Sequence, residues 1–244
     1  MPAADWHLRY QEQAQWTKPL RSYLLGKLPS LTNWSVLEFG CGTGVILQDF
    51  TTLSEMVVGL DRDLDALLFQ GASKASLVNA EAENPPFQER AFDLVFCHYF
   101  LLWLEDPVTV IKAAKRLLKP GGYLAVFAEP DYASRQTSTE TINKLAELQN
   151  RSLAAQGVYL KTGRQLGKLL TDCGFALVEL GTIKEASGLS QSLTESEKNV
   201  LHVDWEFLHR IREAEITKEE MESLLLTPMR WYVPTYYALA VLKN

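Results

Sequence analysis

The chain has 244 residues, 47% of them hydrophobic and 22% charged, a balance that supports a packed core and argues against long disorder. Its formal net charge is −6 and Lys and Arg never cluster beyond a pair, so a phosphate-tracking surface, and with it nucleic acid as a partner, is not expected. Cys41, Cys97 and Cys173 lack C-x-x-C spacing and sit in apolar or glycine contexts, which reads as buried thiols of a reducing compartment. The N-terminus has no basic-then-apolar leader, and no apolar run reaches the ~20 residues that cross a bilayer. The expectation is a cytoplasmic protein without membrane contact.

Residues 10–28 have helical periodicity, with Tyr10, Trp16, Leu20, Leu24 and Leu28 near one face. "SVLEF" (35–39) reads as a short buried strand, with a helix starting near Gly44 after the glycines. "MVVGLD" (56–61) is a second strand, backed by the helix "DALLFQGAS", and "ASLVNA" (75–80) is a weaker strand. "AFDLVFCHY" (91–99) is a strong one, followed by the helix "PVTVIKAAKRLL", the stop "KPGG" and the strand "YLAVFAEP" (123–130). Strands that alternate with helices imply crossovers and hence a parallel sheet covered on both faces.

After Pro130 the rhythm changes. Residues 138–156 look helical behind a Ser138-Thr139-Glu140 cap, and 163–173 form a helix opened by Thr162 and closed by Gly174. "FALVELGTI" (175–183) is a strand, helices follow at 195–214 and from Lys218 to Leu226, and "WYVPTYYALAVL" (231–242) returns to β character. A structured insertion between the last two strands is far longer than a hairpin loop, which suggests a cap or an extra packing layer. The expected organisation is a single domain over 1–244: an N-terminal helical region (1–33), a ligand-binding core (34–130), and helical cap insertions at 131–160 and 185–230.

The stretch Glu38-Phe39-Gly40-Cys41-Gly42-Thr43-Gly44 removes three side chains in five positions at a strand's carboxyl end. Ligands of open parallel sheets bind at that edge, where strand order reverses. A dinucleotide loop reads G-x-G-x-x-G, and here Val45 occupies the last position, so that pattern fails. The spacing acid-x-G-x-G-x-G resembles motif I of the class I S-adenosylmethionine-dependent methyltransferases. Asp61, which closes the second strand, and "AEAENPPFQERAFDLV" and "LLKPGGYLAVFAEP" extend the resemblance in one order over about residues 34 to 130. It implies a doubly wound, mostly parallel α/β sheet of seven strands, with an antiparallel final strand and S-adenosylmethionine as cofactor.

The same resemblance implies that Glu38, Gly40, Cys41, Gly42 and Gly44 approach the amino acid end and ribose of the cofactor. Asp61, with Arg62 beside it, would take the ribose hydroxyls. Glu81, where Asp is commoner, would take the adenine amino group, and the Ala82 backbone would meet the ring. Asn84-Pro85-Pro86-Phe87 spells the box of amino-methylating DNA enzymes, but it precedes the fourth strand instead of following it, so it reads as coincidence.

A sulfonium methyl is already activated, so holding the acceptor in line and excluding water is the main task. A base is needed only for an acceptor that must lose a proton. His98, ending the fourth strand, is a candidate for that role or for a cofactor contact. Tyr99 and Glu129 are the other candidate catalytic groups, although Glu129 and Asp131 could equally be polar loop caps. Candidate acceptor-binding residues are Tyr99, Trp103, Asp131, Tyr132, Trp205, Arg230 and Trp231. Trp205 falls at core-packing spacing, and Arg230 is as well explained by a salt bridge. His202 and His209 lack a third ligand of suitable spacing, so no metal is expected. Arg9, Gln13 and Gln15 of the first helix could meet the cofactor's carboxylate, or that helix could simply cover the sheet. The resulting expectation is methyl transfer to a small-molecule acceptor. The rivals are a methyltransferase acting on tRNA or protein, a non-catalytic cofactor-binding module, and a nicotinamide oxidoreductase.

Overall fold

The computed structural model describes residues 3–69, 74–137, 140–183, 217, 219 and 231–243. Helix α1 (Ala3–Leu25) leads into β1 (Ser35–Phe39), β2 (Met56–Asp61), α2 (Leu64–Phe69), β3 (Ser76–Asn79), β4 (Phe92–Cys97) and α3 (Pro107–Leu117). Next come β5 (Leu118–Pro130), β6 (Gln136–Thr137), α4 (Glu140–Ala155), α5 (Thr162–Asp172), β7 (Phe175–Ile183), β8 (Trp231–Tyr232) and β9 (Thr235–Leu242). The main sheet has seven strands in the order β3-β2-β1-β4-β5-β9-β7. Strand β1 pairs in parallel with both β2 and β4, so the order reverses between β1 and β4 and leaves a crevice outside their carboxyl ends. Among the described strands of this sheet only β9 runs antiparallel, to both β5 and β7.

The strands form where apolar runs let both sheet faces be buried. Val36, Leu37, Phe39, Leu94, Val95 and Phe96 are all 2% exposed or less. The ring of Phe50 stacks on Phe96 at 4.4 Å, and Phe96 meets Phe127 at 5.4 Å. Burying each such ring stabilises the fold by up to about 3 kcal/mol. Helix α3 begins because the Asp106 carboxylate accepts from the N–H groups of Val108 (3.0 Å) and Thr109 (3.4 Å), with Pro107 in its first turn.

Three elements depart from expectation. Behind Gly44 there is no α-helix, only a 3-10 turn at Leu47–Asp49 flanked by turns. The β-branched Val45, Ile46, Thr51 and Thr52 crowd that segment and disfavour a regular helix. Strand β5 starts at Leu118, so Lys119-Pro120-Gly121-Gly122 forms an irregularity inside it; Leu118 pairs with Phe92 before the register shifts. Pro234, which has no N–H to donate, breaks the expected strand 231–242, leaving β8 paired with β6 in a separate ribbon. The helices expected at 195–214 and 218–226, most of the 185–230 insertion, and Ser138 and Thr139 lie outside the described residues.

Candidate active site

A cavity of about 300 Å³ opens at the carboxyl ends of β1, β2 and β4, against α1 and the turn that follows β4. Glu38, Asp61, Asp63, Glu81 and Glu83 line it, with Arg62 the only Lys or Arg among the described residues there. The rings of Trp6, Tyr10, Tyr99, Phe100, Trp103 and Tyr132 complete the wall. An acidic, aromatic hollow attracts a cation and repels a pyrophosphate.

The glycine loop is built from left-handed turns, with φ of +66° at Gly40, +51° at Gly42 and +72° at Gly44. A Cβ at Gly40 would lie 2.1 Å from the Phe100 ring, and one at Gly42 would lie 2.7 Å from the Tyr10 ring. Two rings of the chain itself therefore press on this backbone, and the position of Phe100 over Gly40 was not expected from the sequence. The loop is tied to β2, where the N–H of Gly42 donates to Asp61 Oδ2 at 2.6 Å and Leu60 O accepts from Gly40 and Cys41. Asp61 Oδ1 also accepts from the N–H of Asp63 at 2.9 Å.

Glu38 is 2% exposed, lines the cavity, and its Oε2 has no hydrogen-bond partner. Burial first, then repulsion by Asp61 and Asp49, push its carboxyl well above the usual range against the opposing pull of Arg21. A buried carboxylate oxygen without a partner is the feature that a bound cationic group would satisfy, so the residues present fit a sulfonium amino acid cofactor. The Cys41 thiol, raised by burial and then by Glu38 and Asp61, stays protonated beside it. Ala82 is buried in the cavity wall, while Glu81 is exposed at its rim. The Asn-Pro-Pro-Phe segment serves packing: Arg116 donates to the carbonyls of Pro85 and Phe87.

Helix α1 covers the cavity with Trp6, Tyr10 and Gln13, and His7 Nδ1 lies 2.9 Å from Thr43 Oγ1. Burial, then Asp61 and Asp63, push the Tyr10 phenol up, so it stays protonated. The helix buries Leu24 of the expected face, with Leu20 and, past its end, Leu28 packed partly against the same core, but it also buries Ala14, Thr17 and Arg21, which the expected face did not include. Trp16 lies half-buried under the Arg9 guanidinium at 5.5 Å, and Gln15 points to solvent. Neither Arg9 nor Gln15 lines the cavity.

His98 lines the cavity, its Nε2 2.8 Å from Thr17 Oγ1. Burial, and secondarily the Arg21 charge, lower its pKa to about 3, so the imidazole is neutral at physiological pH. A conjugate acid that strong makes His98 a hydrogen-bonding group and a poor general base. Tyr99 holds a left-handed φ of +51°, donates its N–H to Ala128 O, and packs edge-on to His98 at 4.8 Å. Behind Tyr99, Trp103 and Tyr132 sits an apolar cluster of Leu102, Leu153 and Val158.

Two expected site acids face elsewhere. Glu129 is fully buried, and its carboxylate accepts the N–H groups of Phe100 (3.0 Å), Leu101 (2.8 Å) and Leu102 (3.1 Å). It anchors the turn that carries Phe100 and Trp103 and does not line the cavity. Burial pushes its pKa up to about 7 against those bonds. Asp131, also fully buried, pairs with Arg164 through bonds of 2.5 and 2.9 Å. Trp231 contributes a backbone pairing to Thr137, while Trp205, Arg230, His202 and His209 lie outside the described residues. Trp6, Asp63, Glu83 and Gln156 line the cavity without having been singled out from the sequence.

Strand order, crevice and loop together define a class I methyltransferase fold. The Methyltransferase domain family matches residues 37–126. Malonyl-[acyl-carrier protein] O-methyltransferase of a Marinomonas species is 34% identical over 125 residues, covering 47% of this chain and 45% of that protein. Ubiquinone biosynthesis O-methyltransferase of Vibrio atlanticus is 32% identical over 114 residues, covering 43% of this chain and 48% of that protein. The chain thus spans about half the length of the curated relatives it matches. A crystal structure of an S-adenosylmethionine-dependent methyltransferase from Mesorhizobium loti shares the fold, with a TM-score of 0.56 at 15% identity over 90% of this chain and 96% of that one. Residues 37–126 are thus similar to the methyltransferase domain family, and most of the chain shares the fold of S-adenosylmethionine-dependent methyltransferases. No helix among the described residues is long and apolar enough to cross a membrane.

Proposed function

We propose that the protein transfers a methyl group from S-adenosylmethionine to a small-molecule acceptor. The observation that carries this reading is the acidic, aromatic cavity on the glycine loop, with the unpartnered Glu38 oxygen inside it. Bound there, S-adenosylmethionine supplies a methyl group already activated on a positive sulfur.

The chain's own residues bind, orient and exclude water. Glu38 takes up positive charge, and Asp61 has lone pairs left for ribose hydroxyls beyond the N–H groups of Gly42 and Asp63. Arg62, Glu81 and the Ala82 backbone border the adenine side. Trp6 and Tyr10 close α1 over the loop, which keeps water from the reacting atoms. Tyr99, Trp103 and Tyr132 offer flat faces to an acceptor, and His98 orients it by a hydrogen bond. Two of the curated relatives are named for O-methylation, which favours an oxygen nucleophile.

The test is incubation with methyl-labelled S-adenosylmethionine and separate pools of small metabolites, tRNA and protein. Label in the small-molecule fraction together with S-adenosylhomocysteine is the expected result. Label in tRNA or protein would overturn the acceptor class. Binding without turnover in every pool would leave a cofactor-binding module.

A further inference from the structure

We infer that Thr17 and Arg21 of α1 are positioning residues that fix His98 as its Nε2–H tautomer and leave the Nδ1 lone pair to the methyl acceptor. The inference rests on the methyltransferase reading and adds residues to the same site. It follows from proton accounting at one hydroxyl. Thr17 Oγ1 is fully buried and meets two carbonyls, Gln13 O at 2.9 Å and Ala14 O at 3.4 Å, and two nitrogens, Arg21 Nη1 at 2.5 Å and His98 Nε2 at 2.8 Å. A hydroxyl has one proton to give and two lone pairs to offer. A carbonyl only accepts, so the Thr17 proton goes to the carbonyl side, chiefly to the nearer Gln13 O. A guanidinium only donates, so Arg21 fills one lone pair. The remaining contact is satisfied only if His98 Nε2 carries a proton and donates it to the second lone pair.

The fork is held from behind. Arg21, 3% exposed, also donates to Ala14 O at 2.7 Å and pairs with Asp49 through Nε and Nη2, each at 2.8 Å. Asp49 lies in the 3-10 turn behind the glycine loop, Thr17 and Arg21 lie on the covering helix, and His98 directly follows β4. The network therefore joins three elements around the cavity that His98 lines, and with the proton held on Nε2 the ring's Nδ1 is the nitrogen left to accept a hydrogen bond. The Nδ1–H tautomer would instead present a donor at that nitrogen and could not accept a hydroxyl's or amine's proton there.

The test is ¹⁵N NMR of histidine-labelled protein at neutral pH, with His98→Asn used to assign the resonance among the four histidines. The wild type is expected to show His98 Nε2 with a directly bonded proton and Nδ1 with the shift of an unprotonated nitrogen. Thr17→Ser should keep that pattern and Thr17→Val should lose it. Once the acceptor is known, Thr17→Val should lower kcat by roughly tenfold while the Kd for S-adenosylhomocysteine stays within about twofold, with Thr17→Ser restoring turnover. An Nδ1–H wild type, or a Thr17→Val spectrum and kcat like the wild type, would overturn the inference. Failure of the wild type to bind S-adenosylhomocysteine would instead overturn the methyltransferase reading.

Discussion

Replacing Glu38 by methionine is expected to move stability and cofactor affinity in opposite directions. In the folded chain this side chain is 2% exposed and one of its oxygens has no partner. An unsatisfied buried polar atom costs about 1–3 kcal/mol. Asp61 and Asp49 add repulsion and Arg21 offsets part of it. Methionine keeps the length of the side chain and removes both oxygens. In a domain of this size each kcal/mol moves the melting midpoint by about 2–4 °C, so ligand-free Glu38→Met should melt about 2–12 °C higher than the wild type. Binding should change the other way. A charge-assisted hydrogen bond contributes about 1.5–3 kcal/mol, so the variant's Kd for S-adenosylmethionine should rise about 10- to 150-fold. Calorimetric melting without ligand and isothermal titration with it measure the two effects on the same sample. A variant that melts lower and binds as tightly as the wild type would refute the assignment of Glu38 to cofactor charge.

Because burial holds the Glu38 carboxyl above its ordinary range, a cation arriving beside it should pull that pKa down; titrations in buffers of different ionisation enthalpy should show more proton release on binding in the wild type than in Glu38→Met. Glu129 titrates with a pKa raised from 4.5 to about 7, so the folded state keeps its proton to higher pH than the unfolded chain. Its contribution is full below about pH 4.5 and is lost as pH rises through about 7, on the order of 3 kcal/mol in all. Urea denaturation from pH 4.5 to 8 should therefore show a downward slope in the wild type relative to Glu129→Gln, and parallel curves would contradict it. Gly42→Ala forces a side chain into φ +51° and to within 2.7 Å of the Tyr10 ring. It should cost about 1–2 kcal/mol of stability by backbone strain alone and weaken S-adenosylhomocysteine binding, with part of the binding recovered in Gly42→Ala/Tyr10→Ala.

The sheet was readable because its strands are apolar runs long enough to be buried on both faces, and Val36, Leu37, Leu94 and Val95 behave accordingly. The glycine spacing and the acid ending β2 were readable because backbone geometry demands those residue types: three left-handed φ values and a carboxylate that ties the loop down. The buried face of α1 was readable only in part, at Leu20 and Leu24. Periodicity picks out apolar positions, and this helix buries Thr17 and Arg21 because their partners, His98 and Asp49, come from elsewhere in the chain. Glu129 and Asp131 show the same limit from the other side. An acid at a strand's carboxyl end can turn into the cavity or toward a neighbouring loop, and only the packed structure decides; here three backbone N–H groups take Glu129 and Arg164 takes Asp131. Phe100 and Trp6 were invisible because nothing local distinguishes a ring lying on glycine from one in the core.

Titration of wild type and Asp61→Ala with S-adenosylhomocysteine and, separately, with NAD tests most directly whether this crevice is made for an adenosyl sulfonium. Saturable binding of S-adenosylhomocysteine, at least about tenfold weaker in Asp61→Ala and with no heat from NAD, is the expected outcome. Binding of NAD with none of S-adenosylhomocysteine would contradict it.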